Sequence, residues 1–147
     1  MIGIILIAHA GIASETKAAV EYILQEQQNF VAINIVNSDE TEQQTKAFKE
    51  SLQDMSQRCD GVLVMADIFG ATPCNIAMNA IAKGSYACAI ELIAGFNLPT
   101  LIKTMLEREH HDVQSLAHLS LDAGQKYMRL GSQEYAMQAA FDSSKIS

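Results

Sequence analysis

The sequence predicts an α/β fold, a doubly wound, mostly parallel sheet sandwiched by helices within a single domain. Continuous apolar, β-branched runs recur at intervals of about 30 residues, as βαβ units require. The segments between them carry apolar stripes at helical spacing. A hydrophobic fraction of 49% over 147 residues supplies one core of ordinary size and excludes a disordered chain.

The first strand is the apolar run at residues 2–8, in which Ile4, Ile5, Leu6 and Ile7 follow one another without alternation, as in a strand covered on both faces. It is too short to span a membrane, for which about 20 apolar residues are needed. It also lacks the basic flank of a signal peptide. A first helix follows the polar start at Ser14 and Glu15, with Ala19, Val20, Ile23 and Leu24 on one face. The second strand is expected at residues 30–36. The capping-type cluster Ser38, Asp39, Glu40 and Thr41 then opens a helix with Phe48, Leu52 and Met55 inward. A third strand at residues 61–66 leads to a helix striped by Ile76, Ala77, Ala80 and Ile81. The fourth, at residues 87–93, leads to one striped by Leu101, Ile102, Met105 and Leu106. Residues 112–130 read as a fifth helix ending near Gly131. Residues 132–147, with weak periodicity, read as a loosely docked helix or a tail, so the domain proper is placed at residues 1–131.

A net charge of -7, with 10 Lys and Arg against 17 Asp and Glu, leaves no basic stripe for a phosphate backbone and argues against a nucleic-acid partner. The cysteines Cys59, Cys74 and Cys88 are odd in number and never form a C-x-x-C pair, which suits reduced thiols in the cytoplasm. His110, His111 and His118 do not complete a metal site, because adjacent helical histidines point apart, and no metal or other cofactor is expected.

The strand ends carry the chemistry. Ligands of open α/β sheets bind beyond the carboxyl ends of the strands, where strand order reverses. His9 follows the first strand, Asp67 the third and Asn97 the fourth, so these three could converge. Pro73 and Pro99 each open a helix after a Gly-containing loop. Thr72 is a candidate N-cap, and the amides of Gly70, Ala71 and Thr72 at a helix start form an anion site suited to phosphate. A histidine beside such a site suggests a nucleophile, with a carboxylate at Asp67 fixing Nδ1–H and leaving Nε2 to attack. Taken singly, His9 reads more simply as a loop residue, Asp67 as a cap or turn residue, and the 70–73 segment can be a tight strand-to-helix turn; their shared sheet edge is what joins them.

The opening run with His9 and Gly11, the loop Asp67-Ile68-Phe69-Gly70-Ala71-Thr72-Pro73, and Gly95-Phe96-Asn97-Leu98-Pro99 together resemble the IIA component of the mannose family of the bacterial phosphoenolpyruvate:sugar phosphotransferase system. The resemblance implies a cytoplasmic phosphocarrier, reaching the inner face of the membrane through the transporter complex. His9 would take a phosphoryl group on Nε2 from phospho-HPr and pass it to a IIB component, with the membrane components IIC and IID served indirectly. Asp67 matches the acidic partner, Gly70, Ala71 and Thr72 the phosphate cradle, and Gly11, Phe69 and Asn97 their neighbours. Homodimers are implied as well. Transfer between imidazoles moves an activated group, so fixed donors suffice and no metal is required. Three departures stand out: Ala10 where many members have Gly, Ala71 where a second loop glycine is common, and Thr100 where Met is usual, a change expected to bear on partner contact. Two readings compete. One is the phosphocarrier subunit of dihydroxyacetone kinase, whose acidic, Gly-rich segment after the third strand is missing here. The other is a non-catalytic flavodoxin-like binding or receiver module, which would want acidic residues after the first strand. A Ser-His-Asp hydrolase lacks its G-x-S-x-G elbow.

Overall fold

A computed structural model describes residues 1–37, 39–135, 139–140 and 142–143. Four parallel strands, β1 (Ile2–His9), β2 (Phe30–Ile35), β3 (Gly61–Ala66) and β4 (Ala89–Ala94), form one sheet in the order β2-β1-β3-β4. Five helices connect and cover them: α1 (Ile12–Leu24), α2 (Thr41–Arg58), α3 (Thr72–Lys83), α4 (Leu98–Glu107) and α5 (Val113–Lys126). This is the doubly wound α/β domain that the run spacing predicts.

β1 shows why the sheet must be sandwiched. Its residues alternate between two cores, because successive side chains of a strand point to opposite faces. Ile2, Ile4, Leu6 and Ala8 join Val20 of α1, Leu101 and Met105 of α4 and Leu116 of α5. Ile5 and Ile7 join Phe48, Leu52 and Met55 of α2 and Ala77 and Ala80 of α3. Chain order runs from β1 outward to β2 on one side and to β3 and β4 on the other, so the reversal falls between β1 and β3. That crevice is where a ligand belongs in this topology.

The element ends depart from the sequence reading where pairing or burial stops. β4 begins at Ala89 rather than residue 87, because its partner β3 begins at Gly61, opposite Ala89. β2 stops at Ile35, opposite His9. The fifth helix ends at Lys126, short of Leu130, since its buried stripe of Val113, Leu116, Ala117, Ser120, Ala123 and Gly124 is already complete. Tyr127, Met128 and Leu130 beyond it are exposed, and a short 3₁₀ turn covers Gly131–Gln133. Of the expected tail, residues 136–138, 141 and 144–147 lie outside the described residues, as does Ser38 of the capping cluster.

Thr100 is not a partner-facing residue. It is buried, its amide donates to Asn97 Oδ1 at 3.0 Å, and the two form a capping box at the start of α4. Thr104, also buried, donates to the Thr100 carbonyl at 2.7 Å and lies 2.6 Å from Ser120 Oγ, which ties α4 to α5.

Ala10 takes a left-handed conformation with φ 50°, whereas Gly11 after it sits at φ −89°. The flexible residue therefore stands one position after the place that needs it. An L-residue in this region costs about 1 kcal/mol. Ala10→Gly is expected to stabilise the protein by about 1 kcal/mol, read as a higher urea midpoint at unchanged slope. An unchanged or lower midpoint would show that Ala10 carries no such strain.

Candidate active site at the β1/β3 crevice

His9 ends β1, and Asp67 follows β3 directly on the neighbouring strand. Asp67 Oδ2 accepts the His9 backbone N–H at 3.0 Å and lies 2.8 Å from His9 Nδ1. Its other oxygen accepts the Ile68 N–H at 3.0 Å. A carboxylate only accepts, so Nδ1 carries the proton, and in the neutral ring the lone pair is on Nε2. The Asp67 side chain is 9% exposed and the imidazole 41%, which leaves the ring open to an incoming group while its orienting partner is covered. Burial pushes the Asp67 pKa up, but the hydrogen bonds from the His9 amide and ring, the ring's charge and the local amide bond outweigh it, and the net shift is downward.

This shift has a consequence for stability. A carboxylate with a lowered pKa in the folded state stabilises the fold above its unfolded pKa and loses that contribution as pH falls through the folded value. Asp67 therefore adds acid sensitivity below its ordinary value of 3.8. Asp67→Asn is expected to remove this part of the acid transition and, on the reading of His9 as a nucleophile, to slow its attack about a hundredfold, since a neutral amide no longer compensates charge on the ring. Quenched-flow transfer rates and urea melts between neutral pH and pH about 3 test both effects. Wild-type rates in the variant would remove Asp67 from the chemistry.

The loop after Asp67 forms a helix start aimed at the same crevice. Gly70 has φ 81°, which favours glycine, whereas Ala71 sits at φ −84° and so accommodates its methyl group without strain. Asn75 Nδ2 donates to the Gly70 carbonyl at 3.1 Å and holds the turn. Thr72 is not the N-cap of α3. Ala71, in extended conformation, takes that place without a side-chain cap, and Thr72 is the first helical residue. Consequently the Thr72 amide is one of the helix's unsatisfied donors, with no acceptor among the described residues. The Ala71 amide reaches the Ile68 carbonyl only at 3.5 Å. Cys74, just inside α3, is fully buried.

A cavity of about 480 Å³ lies beside the histidine, lined by His9, Ile35, Val36, Asn37, Thr41 and Thr72. His9, Asp67 and the Thr72 end of the cradle are thus brought together. Phe69, 73% exposed, projects next to the site with exposed Ile68. Gly11 caps the start of α1, and its carbonyl accepts from the Glu15 amide and from Ser14 Oγ. Asn97 does not join the site. Its Oδ1 accepts from the Thr100 amide, and its Nδ2 donates to the Gly124 carbonyl at 2.9 Å, so the side chain binds α4 to α5. Asn37 and Thr41 were not among the expected site residues. They follow β2, which also ends at this edge of the sheet, and that position is the signal that points to them.

A family model described as "PTS system fructose IIA component" matches residues 3–120. The chain belongs to this EIIA-man family. Among similar proteins, the PTS system fructose-specific EIIA component of Bacillus subtilis is 28% identical over 116 residues, 79% of this chain and 77% of that protein. The PTS system mannose-specific EIIAB component of Escherichia coli is 26% identical over 126 residues, 85% of this chain but 38% of that longer protein. The crystal structure of phosphotransferase system component EIIA from Streptococcus agalactiae shares the fold with a TM-score of 0.82, covering 91% of this chain and 100% of that one at 23% identity. EIIA-man membership supports a phosphocarrier role in a sugar phosphotransferase system, and with it a transferase activity.

Proposed function

We propose that this EIIA-man protein carries a phosphoryl group on Nε2 of His9, taken from the phosphohistidine of HPr and given to a IIB component. The observation that supports this most directly is the 2.8 Å contact between His9 Nδ1 and Asp67 Oδ2, which leaves Nε2 as the free nitrogen at an exposed ring.

The step balances without a net proton transfer. The donor's P–N bond breaks as the P–Nε2 bond forms, and the donor ring leaves as neutral imidazole with the proton on its far nitrogen. His9 keeps its Nδ1 proton and becomes an N-phosphoimidazolium, whose positive charge lies against the Asp67 carboxylate. Donation to IIB reverses these roles. The unsatisfied Thr72 amide and the positive end of α3 favour the negative phosphoryl oxygens at Gly70, Ala71 and Thr72. Exposed Ile12, Val36, Ile68 and Phe69 supply apolar contact for both partners in turn.

Such a carrier works in the cytoplasm and meets the membrane components IIC and IID through IIB, at the inner face of the membrane. No helix among the described residues is long and apolar enough to cross a membrane. A homodimer fits the same reading, because the outer edge of β4 has no strand partner among the described residues and Met128, Leu130 and Tyr135 beyond α5 are exposed. Domain limits of 1–131, with 132–147 as an appended segment, belong to this proposal too.

Incubation with phosphoenolpyruvate, enzyme I and HPr tests the function. The expected result is the mass of one added phosphoryl group, acid-labile and base-stable. A chain that remains unmodified while HPr is phosphorylated would overturn the reading.

A further inference from the structure

We infer that Asn37 is a phosphoryl-binding residue, supplying hydrogen-bond donors on the side of His9 opposite the Gly70–Thr72 loop. The inference rests on the reading of His9 as the phosphoryl carrier and adds a residue of the β2–α2 loop to that site.

Topology sets the two sides. β1 lies between β2 and β3, so the loop after β3 reaches the His9 cavity from one flank and the loop after β2 from the other. Thr72 lines the first flank, and Asn37 and Thr41 line the second. A transferring phosphoryl group has three oxygens around phosphorus, more than one helix start can meet from a single direction. Donors on the far flank complete the shell where charge develops.

Asn37 suits that role in its hydrogen bonding. Its Oδ1 accepts the Glu40 amide at 3.0 Å, and its carbonyl accepts Thr41 Oγ1 at 2.8 Å. These bonds use its acceptors and fix the residue, while the Nδ2 donors have no partner among the described residues. Thr41 therefore acts as a positioning residue for Asn37, its own proton being committed to the loop.

Charge supports the same assignment. Among the described residues neither Lys nor Arg lines the cavity, so a doubly negative group there is met by neutral donors. The acidic residues of this loop are directed elsewhere. Glu40 Oε2 lies 3.3 Å from Gln44 Nε2, and Asp39 lines a separate groove along α2 with Glu42 and Lys46. Asn37 thus places an amide, not a carboxylate, where this acidic loop lines the His9 cavity.

Two substitutions separate this role from a structural one. Asn37→Asp keeps the size and the Glu40 contact but replaces two donors by a negative charge. The phosphorylated fraction at equilibrium with phospho-HPr should fall by about tenfold or more. Asn37→Ala should lower it about three- to tenfold, shorten the phosphohistidine lifetime and shift its ³¹P resonance. A merely structural residue would lower the melting temperature without moving the ³¹P resonance or the transfer equilibrium of the folded protein. If wild-type protein accepts phosphoryl and both variants match its equilibrium and resonance, Asn37 is not a ligand and this inference fails alone. If wild-type protein accepts none, the reading of His9 fails and takes this inference with it.

Discussion

His9→Ala is expected to accept no phosphoryl group from phospho-HPr, with incorporation falling to background while the fold is kept. The chain has four histidines, and the other three, His110, His111 and His118, lie on or near α5, away from the β1/β3 crevice. Among the described residues, only His9 holds a carboxylate against Nδ1 at a hydrogen-bonding distance of 2.8 Å. His111 approaches Glu107 through Nε2 at 3.6 Å, which would occupy the nitrogen that should attack. Loss of the His9 ring leaves Asp67 still bonded to the His9 backbone amide and the Ile68 amide, so the fold should lose only about 1 kcal/mol. Intact mass after incubation with phosphoenolpyruvate, enzyme I and HPr reads the first effect, and a urea melt reads the second. A base-stable, acid-labile phosphoryl group on the variant would move the site to another residue.

The parts of this site that could be read from sequence are those set by local rules. An unbroken apolar run specifies a strand buried on both faces, and β1 is such a strand, with residues alternating between two cores. Two parallel strands then bring the residues after their carboxyl ends together, which is how His9 and Asp67 meet across 58 positions of chain. Other features depended on what the fold brings near. Asn97 looked like a third site residue because it ends a strand loop, but α5 offers it the Gly124 carbonyl, and capping uses up its side chain. Thr72 has the chemistry of an N-cap. The cap is nonetheless Ala71, because the backbone turns helical one residue earlier, at Thr72. Asn37 directly precedes the capping-type cluster, and nothing in its local sequence ties it to His9. Arg108 stands between Glu107 and Glu109 with no local sign of burial, and only the fold reveals that it is 3% exposed.

Arg108→Met is expected to destabilise the protein by about 3 kcal/mol, a large share of the 5–15 kcal/mol that holds a domain of this size. The guanidinium is buried at the end of the sheet remote from His9. Its Nη2 donates to the Gln28 carbonyl at 2.7 Å and to Gln27 Oε1 at 3.4 Å, and its Nη1 reaches the Ile2 and Asn29 carbonyls, each at 3.4 Å. Burial lowers its pKa, and no carboxylate forms an ion pair with it among the described residues. Its contribution is therefore the fork of donors, which fastens the loop between α1 and β2 to the start of β1. That loop needs fastening, because Gln25 at φ 68° and Asn29 at φ 52° both occupy the left-handed region without being glycine. Methionine fills similar space but takes the Arg108 donor from the Gln28 carbonyl and leaves the Asn29 carbonyl with the Ile4 amide alone, and lysine, a single ammonium without the planar fork, should restore less than half of the loss. The urea midpoint should fall by roughly 1.5 M at unchanged slope. An unchanged midpoint would mean that desolvating the charge costs as much as its bonds return. Phosphoryl acceptance by the folded protein should stay at the wild-type rate, since β1 separates Ile2 from His9 by roughly 23 Å.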